Sequence, residues 1–194
     1  RERIAPRAAE FDRTGEFPWD NVHDINALGL NMMFVPEAYG GMGLSYICYL
    51  ACVREISRAC AATGIIWATN FHAMKPLIEF GNEEQKSRFL PRIAEGALAS
   101  LAITEPEAGS DATGMTTAFR PDGDDIIIDG GKTFITKGDV ADLYLLFGKW
   151  THIQDPRKAI SVLVLEKGTE GLEVLRNEDK MGTRASSTAT IRFN

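Results

Sequence analysis

Apolar residues recur at two different spacings along the chain, and the change from one to the other falls near Gly96. Before this point they return every three or four positions, as they do on one face of a helix. After it, short runs rich in β-branched and aromatic residues alternate with turn-forming residues, as they do in strands. Helices that precede the strands, rather than alternating with them, indicate separate domains. We therefore predict an α+β multidomain chain, with an all-helical domain over residues 1–96 and an antiparallel β-barrel or sandwich domain over residues 97–194.

The first half reads as five helices, bounded by residues that favour helix ends. Asp20 and Ser45 are predicted N-caps, because a short polar side chain can accept a bond from a free N–H group of the first turn. Asn82, with Gln85 three residues later, has the pattern of a capping box. Residues 32–35 are predicted to be extended. The predicted helices cover residues 1–13, 20–28, 45–58, 65–80 and 82–96.

The second half reads as eight short strands separated by turn signals. The tetrapeptides Pro-Asp-Gly-Asp at 121–124 and Asp-Gly-Gly-Lys at 129–132 predict tight hairpin turns. Many short strands at near-regular spacing are typical of a barrel or sandwich. The predicted strands cover residues 99–103, 116–120, 125–129, 133–136, 143–149, 160–166, 172–175 and 188–193.

Charge and composition narrow the classes of function. The formal net charge is -6, and no run of Lys or Arg exceeds two residues, so we expect neither a nucleic-acid partner nor a membrane-surface patch. No apolar stretch reaches the roughly 18 residues that cross a bilayer, so no membrane span is expected. No signal-peptide pattern opens the sequence.

The cysteines and histidines suggest no reactive or metal site. Cys48, Cys52 and Cys60 fall in one helix-like stretch, and we interpret them as small buried thiols in a reducing compartment. No histidine lies near them at a ligand spacing, so we expect no metal. The 3 histidines are scattered and are interpreted as structural or surface residues.

A glycine-rich segment at 40–45 precedes a predicted helix, as a dinucleotide-binding turn would. Tyr46 stands where the third glycine of that fingerprint should be, and the segment has no Lys-Ser or Lys-Thr pair of a phosphate loop. We therefore predict a plain turn that leads into the helix.

Thr-Glu-Pro-Glu-Ala-Gly-Ser-Asp at 104–111 follows an apolar strand and contains no cation. It therefore lacks the charge that a phosphate-binding loop usually supplies. Its hydroxyls, its backbone amides and the close approach that Gly109 allows suit a flat heterocycle with a polar edge, such as the pyrimidine side of a flavin. Taken alone, the motif favours an acidic surface turn.

Two further polar segments are candidate binding elements. In Lys-Thr-Phe-Ile-Thr at 132–136, Phe134 and Thr136 should share one strand face, where a ring can stack on Phe134 and Thr136 can donate a hydrogen bond. The pattern alone also suits Phe134 as a core residue. In the loop at 179–188, Arg184 can pair with a phosphate or carboxylate, or remain a solvated loop arginine.

Together and in this order, these segments resemble the acyl-CoA dehydrogenase family along essentially the whole chain. The Thr-Glu-Pro-x-Ala-Gly-Ser-Asp element at 104–111 is highly specific for that family. The other segments that carry the resemblance lie at 15–19, 35–43, 80–86, 90–91, 131–136 and 179–188. The resemblance implies a helical domain, a β-domain and a C-terminal helical domain after Asn194, so that this chain would be part of a longer protein.

The resemblance also implies a bound FAD, with its isoalloxazine ring against the β-domain. By match to the family's motifs, Thr104 would bond the ring edge and Ser110 would lie near the acyl-CoA pantetheine or the flavin phosphates. The family often has Trp in place of Phe134, and stacking should survive that change with less area. The residues implied to line the flavin are Leu101, Ile103, Thr104, Gly109, Ser110, Phe134, Ile135 and Thr136.

The activity that the resemblance implies is FAD-dependent α,β-dehydrogenation of an acyl-CoA thioester, with electron-transfer flavoprotein as acceptor. The catalytic carboxylate would lie beyond Asn194, so no catalytic residue is assigned, and Glu105 and Asp111 would only shape the flavin site. A homotetramer or homodimer is implied, in the cytoplasm or, as the alternative, in the mitochondrial matrix. An acyl-CoA oxidase, an eliminating relative, a flavin monooxygenase and a non-catalytic binding module remain the alternatives.

Overall fold

The computed structural model describes residues 2–194, which fold as two compact units. Of the described residues, the helical unit comprises residues 2–99 and Asp179–Ser187, and the sheet unit comprises Ser100–Glu178 and Thr188–Asn194. A helical part followed by a curled β-sheet confirms the predicted α+β class.

Within residues 2–194, the helical unit contains five α-helices. The fourth, α4 (Ala61–Phe80), is apolar around most of its circumference and buries Ile66, Trp67, Phe71 and Met74, as expected of a central helix. The helices are α1 (Ala5–Thr14), α2 (Trp19–Ala27), α3 (Tyr46–Ala59), α4 (Ala61–Phe80) and α5 (Glu83–Ala94), with 3-10 turns at Leu30–Met32 and Glu37–Tyr39.

The predicted helix caps have mixed outcomes. The capping box is confirmed, because the Gln85 backbone N–H donates to Asn82 Oδ1 at 2.8 Å and the Asn82 N–H donates to Gln85 Oε1 at 3.0 Å. The predicted N-cap at Asp20 is wrong, because the carbonyl of Pro18 already accepts the first helical N–H bonds and Pro18 takes the N-cap position. Ser45 occupies the N-cap position of α3, but its side chain makes no cap bond to the backbone.

The predicted extended stretch at 32–35 is wrong. Gly29 adopts a left-handed conformation with φ 68°, which begins the 3-10 turn Leu30–Met32. The carbonyls of Met32 and Met33 then accept the N–H groups of Met42 and Leu44. The chain therefore folds back on itself here, and the glycine-rich segment forms the plain turn that was predicted.

Helix α4 begins at Ala61, four residues before the predicted start, because Gly64 is a packing residue rather than a break. A Cβ atom at Gly64 would lie 2.1 Å from Ser57 Oγ and 3.0 Å from Ser57 Cα. The missing side chain thus allows α3 and α4 to approach closely, and this gain outweighs the low helix propensity of glycine.

The segment Asp179–Ser187 packs with the helical unit although the strands on either side belong to the sheet unit. Ala185 is fully buried with Cys60 and Ala62, against partly buried apolar residues of α1 and the residue before it. Arg184 donates from its backbone N–H to Asp12 Oδ1 at 3.4 Å and from its guanidinium to the carbonyl of Arg13 at 3.2 Å.

The sheet unit is built on one curled sheet that has seven strands within residues 2–194. The strands are β1 (Ala99–Ala102), β2 (Ala118–Asp122), β3 (Asp125–Thr136), β4 (Leu143–Trp150), β5 (Ile160–Glu166), β6 (Leu172–Asn177) and β7 (Thr188–Phe193). Their order in the sheet is β1-β4-β2-β3-β7-β6, and β5 pairs with β4. The pairs β2–β3, β3–β7, β4–β5 and β6–β7 are antiparallel, whereas β2 and β4 form a short parallel contact.

The two predicted hairpin turns differ in outcome. The turn at 121–124 is confirmed, with Asp122 paired to Asp125 and Gly123 at φ 64°. The turn at 129–132 is wrong, because β3 runs through it without a break. Gly130 is needed there for close approach, since a Cβ atom would lie 2.8 Å from Thr117 Cα.

Phe119, Ile135, Leu146 and Ile191 lie in the buried core of the sheet unit. Among residues 2–194, none of the helices has both the length and the apolar character needed to span a membrane.

Cys60 is buried, but Cys48 is exposed, so the prediction of buried thiols is wrong for Cys48. Helix α3 turns that residue outward rather than toward the core.

Candidate functional site

The loop that follows β1 lies beside the last residues of β3. In β1 itself, just before the loop, the Ser100 hydroxyl donates to the carbonyl of Thr136 at 2.7 Å. Further along, the Thr133 backbone N–H donates to the carbonyl of Thr104 at 2.8 Å. The two sequence motifs, 104–111 and 132–136, are therefore joined directly, as a common binding site requires.

A β-bulge shapes the end of β3. Lys132 pairs with Ile191 and Ile135 pairs with Ala189, so three steps along β3 oppose two steps along β7. One extra residue is accommodated between Lys132 and Ile135, which bends the strand and redirects its side chains.

Phe134 lies within this bulge and is 64% exposed, so the interpretation of Phe134 as a core residue is wrong. Its φ is 58°, in the left-handed region that is uncommon for a residue with a side chain. Such strain costs about 1–3 kcal/mol and is concentrated at functional sites. Ile135 is instead the buried residue of this segment.

Most of the other predicted flavin-lining residues are at least partly accessible. Leu101, Ile103 and Thr104 are half-buried, whereas Gly109 and Ser110 are exposed. A Cβ atom at Gly109 would meet nothing within 4 Å, so the space in front of this backbone is open. Ile135 is only 2% exposed, so this residue of the predicted set is buried.

Glu105 was not identified as a buried residue from the sequence, and the acidic surface-turn interpretation is wrong at this position. It is 4% exposed. Its Oε1 accepts from Lys132 Nζ at 2.7 Å, from the Thr117 N–H at 2.9 Å and from the Thr117 hydroxyl at 2.6 Å. Its Oε2 accepts from the Thr116 N–H at 2.6 Å and from the Thr116 hydroxyl at 2.7 Å.

These bonds decide the protonation state of Glu105. Burial alone would raise its pKa, but the hydrogen bonds from Lys132, Thr117 and Thr116 outweigh burial and lower the pKa to about 2. Burial lowers the pKa of Lys132, and the adjacent carboxylate opposes that shift. Glu105 is therefore a carboxylate at neutral pH, with its acceptor positions occupied.

Lys137 is a second buried cation that sequence reasoning missed. It directly follows Thr136, is fully buried and has φ 62°. Burial lowers the pKa of Lys137 to about 7. Its carbonyl accepts the N–H groups of Val140 and Ala141 at 3.1 and 2.9 Å, which closes the turn after β3.

A cavity of about 440 Å³ opens on the sheet beside Glu105 and Lys132. It is also lined by Thr116, Thr190 and Arg192. Within the described residues 2–194, its lining includes none of the eight residues predicted to contact the flavin, so we treat it as separate from the candidate site.

Comparison with known families explains why these motifs occur together. The model of the acyl-CoA dehydrogenase N-terminal domain matches residues 1–97, and the model of the acyl-CoA dehydrogenase middle domain matches residues 100–194. The chain belongs to the acyl-CoA dehydrogenase family. The two matched regions account for almost all of its residues.

Other members of the acyl-CoA dehydrogenase family resemble the chain over its full length. An acyl-CoA dehydrogenase of Bacillus subtilis is 39% identical, with 100% of this chain and 52% of that protein covered. The structure of butyryl-CoA dehydrogenase from Megasphaera elsdenii matches with a TM-score of 0.94 and 32% identity, covering 100% of this chain and 52% of that one.

A chain from a structure described as the electron transferring flavoprotein of Acidaminococcus fermentans matches with a TM-score of 0.95 and 36% identity, covering 100% of this chain and 51% of that one. The chain thus spans about half the length of the relatives it matches.

Proposed function

We propose that this chain forms the flavin-facing wall of an FAD-dependent acyl-CoA dehydrogenase. The observation that carries the proposal is the bond between Thr104 and Thr133, which places the 104–111 loop beside an exposed aromatic side chain. The family membership of both parts of the chain supports the same conclusion.

The residues present fit a flavin ring. Phe134 offers a solvent-facing aromatic surface held in a strained backbone conformation, which suits stacking on a planar ring. Thr104 and Thr136 supply hydroxyl groups, and the accessible backbone at Gly109 and Ser110 supplies N–H donors.

Bound FAD would supply the hydride acceptor for oxidation of the bond between Cα and Cβ of the acyl group. The chain would bind the ring on Phe134, hold its polar edge with Thr104 and Thr136, and exclude water with Leu101 and Ile103. Ser110 would contact the pantetheine of the acyl-CoA or the flavin phosphates.

We assign no catalytic base among residues 2–194. A base for an α-proton needs a free acceptor and a pKa raised toward neutrality. Glu105 has neither, because its pKa is lowered to about 2 and five hydrogen bonds occupy its oxygens. The Thr113 hydroxyl and backbone N–H lower the pKa of Asp111 as well.

The proposal extends to substrate, partner and assembly. A member of this family, named butyryl-CoA dehydrogenase, supports a short acyl-CoA as the first substrate to test. The match to a structure described as an electron transferring flavoprotein supports such a protein as electron acceptor. We propose a homodimer or homotetramer for the assembled enzyme.

The test is anaerobic mixing of the purified, FAD-loaded full protein with saturated acyl-CoAs of four to sixteen carbons. We expect bleaching of the visible flavin band and formation of the matching enoyl-CoA, detected by mass spectrometry. A protein that binds no FAD, or whose flavin none of these thioesters reduces, would overturn the proposal. If oxygen is then admitted, rapid re-oxidation of the reduced flavin would indicate an oxidase instead.

A further inference from the structure

Lys132 clamps the chain on both sides of Thr104. Its Nζ donates to the carbonyl of Ile103 at 3.0 Å and to Glu105 Oε1 at 2.7 Å. The next residue, Thr133, donates its backbone N–H to the carbonyl of Thr104 at 2.8 Å. Three consecutive residues of the loop are therefore tied to two consecutive residues of β3.

The pair formed by Lys132 and Glu105 is buried, with side-chain exposures of 0% and 3%. Removing two charges from water costs several kcal/mol each, and apolar replacements of such pairs are often as stable or more stable. The pair is therefore poorly explained as a source of stability. A role in fixing one arrangement of the chain is the better explanation.

The location of the pair indicates which arrangement it fixes. Lys132 is the last regularly paired residue of β3 before the bulge, and the extra residue follows directly. A slip of one residue would move Phe134 to the other face of the strand. By anchoring Lys132 to the loop, the pair determines where the bulge begins and hence where Phe134 is exposed.

We propose that Lys132 and Glu105 are positioning residues that hold Thr104 and Phe134 in register with each other for the flavin ring. The proposal rests on the function proposed above. The two residues act through the backbone of Ile103 and through the bulge, without touching the ring. Thr116 and Thr117 support this role, because their N–H groups donate to the Glu105 carboxylate and hold it in place.

The central test is the double variant Glu105→Leu with Lys132→Met in the full protein. It removes both charges, so no unpaired buried charge remains to unfold the protein. We expect the variant to stay folded but to lose some of its free energy of unfolding, because the N–H and hydroxyl groups of Thr116 and Thr117 lose the carboxylate that accepts their bonds. We also expect FAD to bind at least tenfold more weakly, with an altered visible circular dichroism of the bound flavin at saturation.

A matched control is the pair Arg192 and Glu173, which bond at 2.6 Å on the neighbouring strands β7 and β6 and are half exposed. The double variant Glu173→Leu with Arg192→Met makes the same chemical changes at the surface. We expect it to leave both the Kd for FAD and the visible circular dichroism unchanged.

A second variant, Thr117→Val, covers the case in which the charge-free protein fails to fold. It removes one hydroxyl bond to Glu105 with little change in volume. We expect a weaker shift of the same two readouts in the same direction.

The outcomes separate the two proposals. A wild type that binds no FAD overturns the proposed function and this role with it. A wild type that binds FAD normally, with charge-free and Thr117→Val proteins that show the same Kd and the same circular dichroism, overturns the positioning role alone. A shift confined to the unfolding free energy overturns it too.

Discussion

Thr104 and Thr133 are 29 positions apart in the sequence, yet the backbone N–H of Thr133 donates to the carbonyl of Thr104 at 2.8 Å. This bond lies at the point where β3 departs from its register with β7. It connects the most family-specific motif of the chain to the strand that exposes Phe134. The predictions below test what that connection achieves.

Replacing Phe134 should separate binding from stability. Phe134→Gly relieves the φ of 58° and removes an exposed ring, so we expect no loss of stability or a gain of about 1 kcal/mol. Loss of the stacking surface should weaken FAD binding at least tenfold. Calorimetric titration with FAD and denaturant unfolding of the apoprotein measure the two effects. Phe134→Trp should retain the affinity, and an unchanged Kd in Phe134→Gly would contradict the stacking role.

Lys137 should make stability depend on pH above neutrality. Its folded pKa of about 7 lies below the ordinary value of 10.5, so between these values the unfolded state binds more protons than the folded state. The free energy of unfolding should therefore rise with pH in this window, by at most about 1.4 kcal/mol per pH unit from this residue. Urea unfolding of the wild type and Lys137→Met at pH 7, 8 and 9 measures the difference. Equal slopes in the two proteins would contradict the prediction.

Glu105 should make the free energy of unfolding depend on pH below pH 4.5. Its folded pKa of about 2 lies below the ordinary value of 4.5. Its contribution is complete above pH 4.5 and is lost as the pH falls toward 2. The charge-free variant at positions 105 and 132 should lose less stability than the wild type between pH 5 and pH 3. Parallel acid-unfolding curves would show that Glu105 does not contribute in this way.

Gly64 should resist replacement despite its place inside a helix. Alanine favours helix by about 1 kcal/mol over glycine, but a Cβ atom here would lie 2.1 Å from Ser57 Oγ. We expect Gly64→Ala to lower the free energy of unfolding by about 1–3 kcal/mol through overpacking. Gly182→Ala is the control, since a Cβ atom there would meet nothing within 4 Å. A Gly64→Ala protein at least as stable as the wild type would show that the helices separate at little cost.

Local patterns were sufficient for much of the fold. The strands Ile160–Glu166 and Thr188–Phe193 have the bounds that alternation predicts, and the Asn82 capping box is present. Each of these features depends on residues that are close in sequence. The predictions failed where a distant contact decides, as at Gly130, whose glycine signal reflects close approach to Thr117 rather than a turn.

The candidate site shows the same limit. The resemblance identified Thr104 and Phe134 as members of one site, and a backbone bond does join their segments. No local pattern could show that Glu105 and Lys132, 27 positions apart, form a buried pair. Alternation along a strand predicts which side chains face solvent. The bulge that exposes Phe134 breaks this alternation, and it depends on a pairing with β7.

Ala185 and its neighbours bear on how such a protein can be exchanged in parts with its relatives. The stretch Asp179–Ser187 completes the helical unit although it is encoded between two strands of the sheet unit. In a chimera with a single junction near position 99, the helices would come from one parent and the segment that packs beside Cys60 and Ala62 would come from the other. Domain shuffling within the family must therefore transfer this nonapeptide together with the N-terminal helices.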